Sequence, residues 1–187
     1  MSALKDMDKK ALLKLARSAI SDKLADGSKK EVSKDIPESL KEKRGCFVTL
    51  YKNGMLRGCI GTIEPVKSLI ECVTKNAINA AFKDPRFPPL KKEELPAVNI
   101  EISVLTVPKE LDFKDVDDLK MKLKPNIHGV ILSRGWQHAT FLPQVWEQLP
   151  DKDNFLEQLC YKGGMGKESL HDQETTVMVY EAEHFSE

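Results

Sequence analysis

Asn53-Gly54, set between two strand-like runs, constrains this chain more than any other dipeptide in it. Asn-Gly tolerates positive φ at both central positions, and so forms the tight turn whose twist matches a β-hairpin. Cys46-Phe47-Val48-Thr49-Leu50-Tyr51 leads into the turn and Met55-Leu56-Arg57-Gly58-Cys59-Ile60 leads out. A two-residue turn pairs Lys52 with Met55, Leu50 with Arg57, Val48 with Cys59 and Cys46 with Gly61. Cross-strand partners share a face and faces alternate. Cys46, Val48, Leu50, Arg57 and Cys59 are therefore predicted on one side, with Phe47, Thr49, Tyr51, Leu56, Gly58 and Ile60 on the other.

Helical spacing of Leu12, Leu15, Ala16, Ala19, Ile20 and Leu24 predicts an amphipathic helix over Lys9 to Leu24, with Asp8 as its cap and Gly27-Ser28 as its end. The polar stretch from Ser28 to Arg44 reads as an exposed connection. A second helix is expected from Pro65 to Phe82, stopped by Asp84-Pro85. Alternation at Val98, Ile100, Ile102 and Val104 predicts a half-buried strand. A short helix over Asp115 to Lys122 is followed by a second hairpin, Ile127 to Ser133 with Trp136 to Phe141, turning at Arg134-Gly135. Its register places His128, Val130, Leu132, Ala139 and Phe141 on one face, and Ile131, Ser133, Trp136, His138 and Thr140 on the other. Pro143 to Leu149 and Asp153 to Tyr161 read as helical, and Thr175 to Ala182 as a last strand. Hairpins separated by helices make the fold class α+β, with a mainly antiparallel sheet and flanking helices.

Composition narrows the function classes. With 29 Lys+Arg against 29 Asp+Glu, net charge is zero in a chain of 187 residues, which argues against nucleic acid and anionic membrane surfaces as partners. The charge is uneven, with 12 basic and 8 acidic residues in 1–44 and 3 against 10 in 147–187, and separately solvated surfaces account for this. No apolar run approaches the roughly 18 residues needed to span a bilayer. The first eight residues lack the apolar core of a secretory signal, so the expected address is cytoplasmic. Cys46, Cys59, Cys72 and Cys160 show no metal-ligand spacing and should be free thiols in a reducing compartment. No metal site and no cofactor are expected.

No P-loop, dinucleotide fingerprint, nucleophile elbow or zinc-protease helix is present. The chemistry instead concentrates where glycines interrupt a strand, at Arg57-Gly58-Cys59-Ile60-Gly61, because strand glycines mark a bulge or a close approach of backbone or ligand. Cys59 beside Arg57 is a candidate nucleophile or redox thiol; the simpler alternative is a small buried thiol in a packed hairpin. The same predicted face would allow a regulatory Cys46–Cys59 pair, which a reducing compartment disfavours. Asp84 and Arg86, stiffened by Pro85, Pro88 and Pro89, could orient an anionic ligand or merely stop a helix. His128, on an apolar face, reads first as a satisfied core histidine. Gln144 could present an amide to a ligand, and Lys162 before Gly163-Gly164 reads as a helix end.

Several of these segments together resemble one family. Gly45 to Leu50, Leu56 to Gly61, Asp84-Pro85-Arg86-Phe87-Pro88-Pro89, Ser103-Val104-Leu105, His128-Gly129-Val130, Leu142-Pro143-Gln144-Val145 and Phe155-Leu156 through Leu159-Cys160 to Lys162 occur in the order expected of the AMMECR domain, also called AmmeMemoRadiSam system protein A. The resemblance covers about residues 8–187 and implies one AMMECR-type domain, with a larger and a smaller lobe and a cleft between them. It also implies a shared pathway with Memo-like and radical-SAM partner proteins. This chain lacks the radical-SAM cysteine motif and would be a partner of the radical generator.

Two readings of function follow. One is a ligand-binding or catalytic subunit for a small molecule, whose site joins Arg57, Gly58, Cys59, Gly61, Asp84, Arg86, His128 and Gln144. The other is a non-enzymatic interaction module in which the Leu56–Gly61 motif is structural. Whether the chain is an enzyme stays open between them.

Overall fold

The computed structural model describes residues 4–25 and 37–187; the expected helix end at Gly27-Ser28 lies outside them. The described residues form two compact units, one made of those up to 107 with 183–187, the other of residues 108–182.

In the first unit, α1 (Asp6–Leu24), α2 (Glu38–Lys41), the hairpin strands β1 (Cys46–Lys52) and β2 (Met55–Thr62), and α3 (Leu69–Phe82) precede β3 (Val98–Leu105). The late strand β8 (Ala182–Ser186) completes a four-stranded sheet in the order β2-β1-β3-β8. Val48, Leu50, Ile100 and Ile102 alternate along paired strands and are fully buried with Leu12, Ala16 and Ile20 of α1 and Leu69, Val73 and Ala77 of α3. One sheet face is thus sealed by two amphipathic helices.

Two helix starts differ from expectation. The second helix begins at Leu69, not Pro65, because Ser68 and Glu71 close a capping box that satisfies the orphan N–H groups there. Asp8 is no cap: it lies inside α1, buried, and accepts a hydrogen bond from Ser39 Oγ at 3.0 Å. β8 is an addition, since its acidic sequence reads as solvated surface. It is held at its end by Glu187, whose backbone N–H donates to the Ile100 carbonyl at 3.2 Å and whose carboxylate pairs with Arg17.

The larger correction lies in the first hairpin. Lys52 pairs with Met55 and Tyr51 with Leu56, but Leu50 then pairs with Gly58, Thr49 with Cys59, Val48 with Ile60 and Phe47 with Gly61. Arg57 is the extra residue of a β-bulge, and one extra residue reverses the facing of everything beyond it. Gly58 and Ile60 therefore join Val48 and Leu50 on the helix-covered face, while Cys59 and Gly61 join Phe47, Thr49 and Tyr51 on the other.

In the second unit, β4 (Lys109–Glu110), β5 (Gly129–Arg134), β6 (Gln137–Phe141) and β7 (Thr175–Tyr180) form a sheet ordered β4-β7-β5-β6, with helices α4 (Val116–Lys122) and α5 (Lys152–Lys162). Val130 pairs with Phe141 and Leu132 with Ala139, the predicted facing. Trp146 stacks on Phe155 with ring centroids 3.5 Å apart, at the centre of a core that includes Leu119, Leu132, Leu159 and Val177. The fold class is α+β, with two antiparallel sheets. No helix among the described residues is long and apolar enough to cross a membrane.

Candidate functional site

Among the described residues β2 is an edge strand, so every second N–H and C=O along it points away from the sheet without a strand partner there. At Cys59 those two groups are met by side chains. The backbone N–H of Cys59 donates to Asp84 Oδ2 at 2.8 Å, and Arg86 Nη2 donates to the Cys59 carbonyl at 3.3 Å. Arg86 also clasps Asp84, from Nε to Oδ1 at 2.9 Å and from Nη2 to Oδ2 at 2.6 Å, and its own backbone N–H reaches Oδ1 at 3.1 Å. The ion pair stands where a neighbouring strand would. Pro85 and the end of α3 aim it.

Because both main-chain groups of Cys59 point outward, Thr49 and Cys59 form a non-hydrogen-bonded pair, the kind whose side chains approach most closely. Thr49 Oγ1 donates to Cys59 Sγ at 3.2 Å. Cys59 is thus held at its N–H, its C=O and its sulfur, yet it is only half-buried, unlike Cys46, Cys72 and Cys160. Tyr51 and Glu101 share its face: burial pushes the Tyr51 phenol up, and Glu101 and Cys59 add to the effect.

Asp84 is 2% exposed, while the Arg86 side chain is 53% exposed. The Arg86 clasp, helped by the two backbone donors, holds the Asp84 carboxyl well below the ordinary carboxylate range. The same pairing raises Arg86, to which Cys59 contributes a smaller electrostatic attraction.

Arg57 serves a different cluster. From the bulge its Nε and Nη2 reach the two carboxylate oxygens of Glu94 at 3.2 and 3.0 Å, and Lys52 Nζ joins them at 2.8 Å. Glu94, in the 3-10 helix Lys92–Ala97, is held well below its usual range by Arg57 first and Lys52 second. Phe87 links the two arginines, its ring centroid lying 5.9 Å from the Arg57 guanidinium carbon and 5.5 Å from that of Arg86. Among the described residues, Arg57 Nη1 is buried without a hydrogen-bond partner.

The glycines are explained by close approach. A Cβ on Gly58 would lie 2.2 Å from the Ala80 carbonyl oxygen of α3, and one on Gly61 would lie 2.1 Å from the Phe47 ring. Gly58, not Cys59, is what lets the helix sit on the hairpin. The Cys46–Cys59 pair is overturned by the same bulge, which puts the two residues on opposite faces.

A family model described as AMMECR1 matches residues 13–185. The chain belongs to the AMMECR1 family. A protein of Methanothermobacter thermautotrophicus is 41% identical over 95% of this chain and 93% of its own length, and Protein MK0488 of Methanopyrus kandleri is 41% identical over 94% and 86%. The crystal structure of the uncharacterized protein PH0010 from Pyrococcus horikoshii superimposes with a TM-score of 0.89 at 38% identity, covering 98% of this chain and 93% of that one.

Of the residues singled out from sequence, this AMMECR1-family chain brings Gly58, Cys59, Gly61, Asp84 and Arg86 together in the first unit, with Arg57 joined to them through Phe87. His128 and Gln144 belong to the second unit. His128 is buried, and its Nδ1 accepts the Lys124 backbone N–H at 3.3 Å; burial lowers its pKa, so it is a neutral loop clasp. Gln144 is half-buried in the 3-10 turn Pro143–Glu147. Lys162 donates to the Thr140 carbonyl at 2.9 Å across the Phe141 ring. Sequence reasoning missed Thr49, Glu94 and Phe87. Thr49 could be found only by placing the bulge, whereas Phe87 stood inside a motif already noted. Among the described residues, no group of three or more His, Cys, Asp or Glu could hold a metal ion.

Proposed function

We propose that this AMMECR1-family protein is a ligand-binding or catalytic subunit in which Cys59 is the reactive group. The observation that carries the reading is the contrast between fixation and exposure at Cys59: three of its polar groups are pinned, by Asp84, Arg86 and Thr49, while its sulfur stays outside the sealed core. A thiol buried for packing needs neither a hydroxyl donor nor an arginine beside it; a nucleophile needs a fixed direction and a cationic neighbourhood. The half-exposed Arg86 favours a small molecule with an anionic group next to an electrophilic centre.

The Cys59 sulfur would bond to that centre as a leaving group on it departs with the thiol proton, with Thr49 donating to sulfur and Arg86 orienting the anion. In the cell the chain would act in the cytoplasm with Memo-like and radical-SAM partner proteins. Four free cysteines suit that reducing address.

The test is the alkylation rate of each cysteine in the native, reduced protein, read by mass spectrometry, with Cys46 and Cys160 as buried controls. Cys59 should react fastest by at least about tenfold. A Cys59 that reacts only on unfolding, in step with Cys160, overturns the reading and leaves the motif a structural one. The partner half is tested apart, by mixing the purified chain with purified Memo-like and radical-SAM proteins and reading complex formation by size-exclusion chromatography.

A further inference from the structure

Two of the cysteines not used at the candidate site lie in contact with each other. Cys46 opens β1 and is fully buried; Cys72 lies at the start of α3 and is 4% exposed. Their sulfurs are 3.0 Å apart, both as free thiols. Asn76, one helical turn beyond Cys72 and itself 1% exposed, donates from Nδ2 to the Cys46 carbonyl at 3.0 Å and lies 3.5 Å from each sulfur. Thr62, paired with Cys46 across the hairpin, closes the cluster by hydrogen bonding with Asn76 at 3.4 Å. The first unit therefore keeps a small polar cluster inside an otherwise apolar core, built around two sulfurs with nothing between them.

We infer that Cys46 and Cys72 form a peroxide-oxidisable dithiol, in which a small hydroperoxide such as hydrogen peroxide converts the pair to a disulfide joining β1 to α3. Closing the sulfurs from contact to a covalent bond needs a movement of only about 1 Å, within reach of side-chain adjustment at a strand end and a helix start. The roles differ by position. Cys46 donates its S–H to Cys72, so the shared proton sits on Cys46; that hydrogen bond favours the thiolate at Cys72 and, together with burial, disfavours it at Cys46. Cys72 is also the less deeply buried of the two. It is the attacking sulfur, and Cys46 resolves.

The chemistry balances. The Cys72 thiolate attacks one oxygen of the peroxide, the O–O bond breaks, and a sulfenic acid forms as hydroxide leaves and takes up the proton Cys72 had released. The Cys46 sulfur then attacks the Cys72 sulfur, the S–O bond breaks, and its oxygen departs as water with the Cys46 proton. Two thiols lose two electrons and two protons, and one peroxide becomes two waters.

The disulfide would close the segment from Cys46 to Cys72, which contains all of β2 and therefore Cys59. It needs no contribution from Cys59, so its fate is separable from that of the proposed reactive site.

Tryptic digestion places the three cysteines on different peptides: residues 45–52, 58–67 and 68–75. The full chain, reduced and then exposed to a modest excess of hydrogen peroxide, is blocked with an alkylating agent, digested and mapped. The expected product is a link between 45–52 and 68–75, two hydrogen masses below the separate peptides, formed equally in Cys59→Ser and absent in Cys72→Ser. The melting temperature should rise by about 5–10 °C on oxidation and return on reduction with dithiothreitol. A native chain in which peroxide leaves 45–52 and 68–75 unlinked, or links them only after unfolding, overturns the inference. Should Cys46→Ser or Cys72→Ser fail to fold, the wild-type and Cys59→Ser maps decide the matter alone.

Discussion

The Asp84 carboxylate accepts the backbone N–H of Cys59 at 2.8 Å, and so a side chain 25 residues away supplies what the next strand of the sheet would otherwise supply. Arg86 completes the substitution by donating to the carbonyl of the same residue. An edge strand protected in this way cannot recruit another strand at that point, and the residue it carries is fixed in direction. One ion pair thereby does two jobs: it closes the sheet edge and presents a thiol.

Removing the acceptor should loosen both. Asp84→Ala leaves the Cys59 N–H unmet and Arg86 without its partner. Losing one partner of a buried pair costs about 3–5 kcal/mol, and the half-exposed arginine reduces this to an expected loss of about 2–3 kcal/mol. Urea unfolding measures the loss, and amide hydrogen exchange should show Cys59 among the residues most accelerated. An unchanged exchange rate at Cys59 would mean the strand edge is held by something else.

Acid should act through two carboxyls. Asp84 and Glu94 both titrate lower in the folded chain than their ordinary 3.8 and 4.5. Below those values the unfolded chain binds protons that the folded chain resists, so their stabilisation is complete at neutral pH and drains away as pH falls below about 4.5. Glu94→Gln should be less stable than the parent at pH 7, and the gap should narrow steadily towards pH 2. Urea midpoints across that range test it; parallel curves would show that Arg57 and Lys52 do not stabilise the Glu94 charge.

The sequence carried the elements and most of one register, and it failed where a single residue decides. Alternation in β3 and in the second hairpin was readable because each strand keeps period two to its end. Gly58 marks a bulge or a close approach in the sequence, but nothing in Leu56-Arg57-Gly58 says which residue is the extra one; that is decided because Gly58 must face the Ala80 carbonyl for α3 to close on the hairpin, a tertiary demand. Cys59 was therefore found as a residue and misplaced as a neighbour, expected beside Val48 and observed beside Thr49. β8 was missed because Glu183 and Glu187 read as solvent, while its pairing with β3 is a main-chain matter. The Ser68-to-Glu71 box was legible, but Pro65 offered a competing start.

Glycine substitution separates the two close approaches. Gly58→Ala drives a methyl into main-chain atoms of Ala80 at 2.2 Å, which only a shift of α3 can relieve, and should cost about 2–4 kcal/mol. Gly61→Ala meets the half-buried Phe47 ring, which can turn aside, and should cost about 1–2 kcal/mol. Thermal or urea unfolding of the two variants gives the order; equal costs would show that the hairpin and α3 yield as easily as one side chain.

Thr49 offers the sharpest test of how Cys59 is held, because its hydroxyl can be removed without changing the shape of the side chain. The Thr49 hydroxyl donates to the Cys59 sulfur and fixes its direction, and Thr49→Val deletes that donor while keeping the branched outline. Alkylation of Cys59 at fixed pH should slow by about threefold to tenfold, roughly the loss of one hydrogen bond of 0.6–1.4 kcal/mol. Thr49→Ser keeps the hydroxyl and should retain most of the parent rate. Cys160, fully buried in the second unit and pushed up to about 11 by burial, should be unaffected by either change. The ratio of Cys59 to Cys160 rates therefore isolates the hydroxyl from any general loosening of the fold. If Thr49→Val leaves that ratio unchanged, the Thr49–Cys59 contact is packing, and the direction of the thiol depends on Asp84 and Arg86 alone.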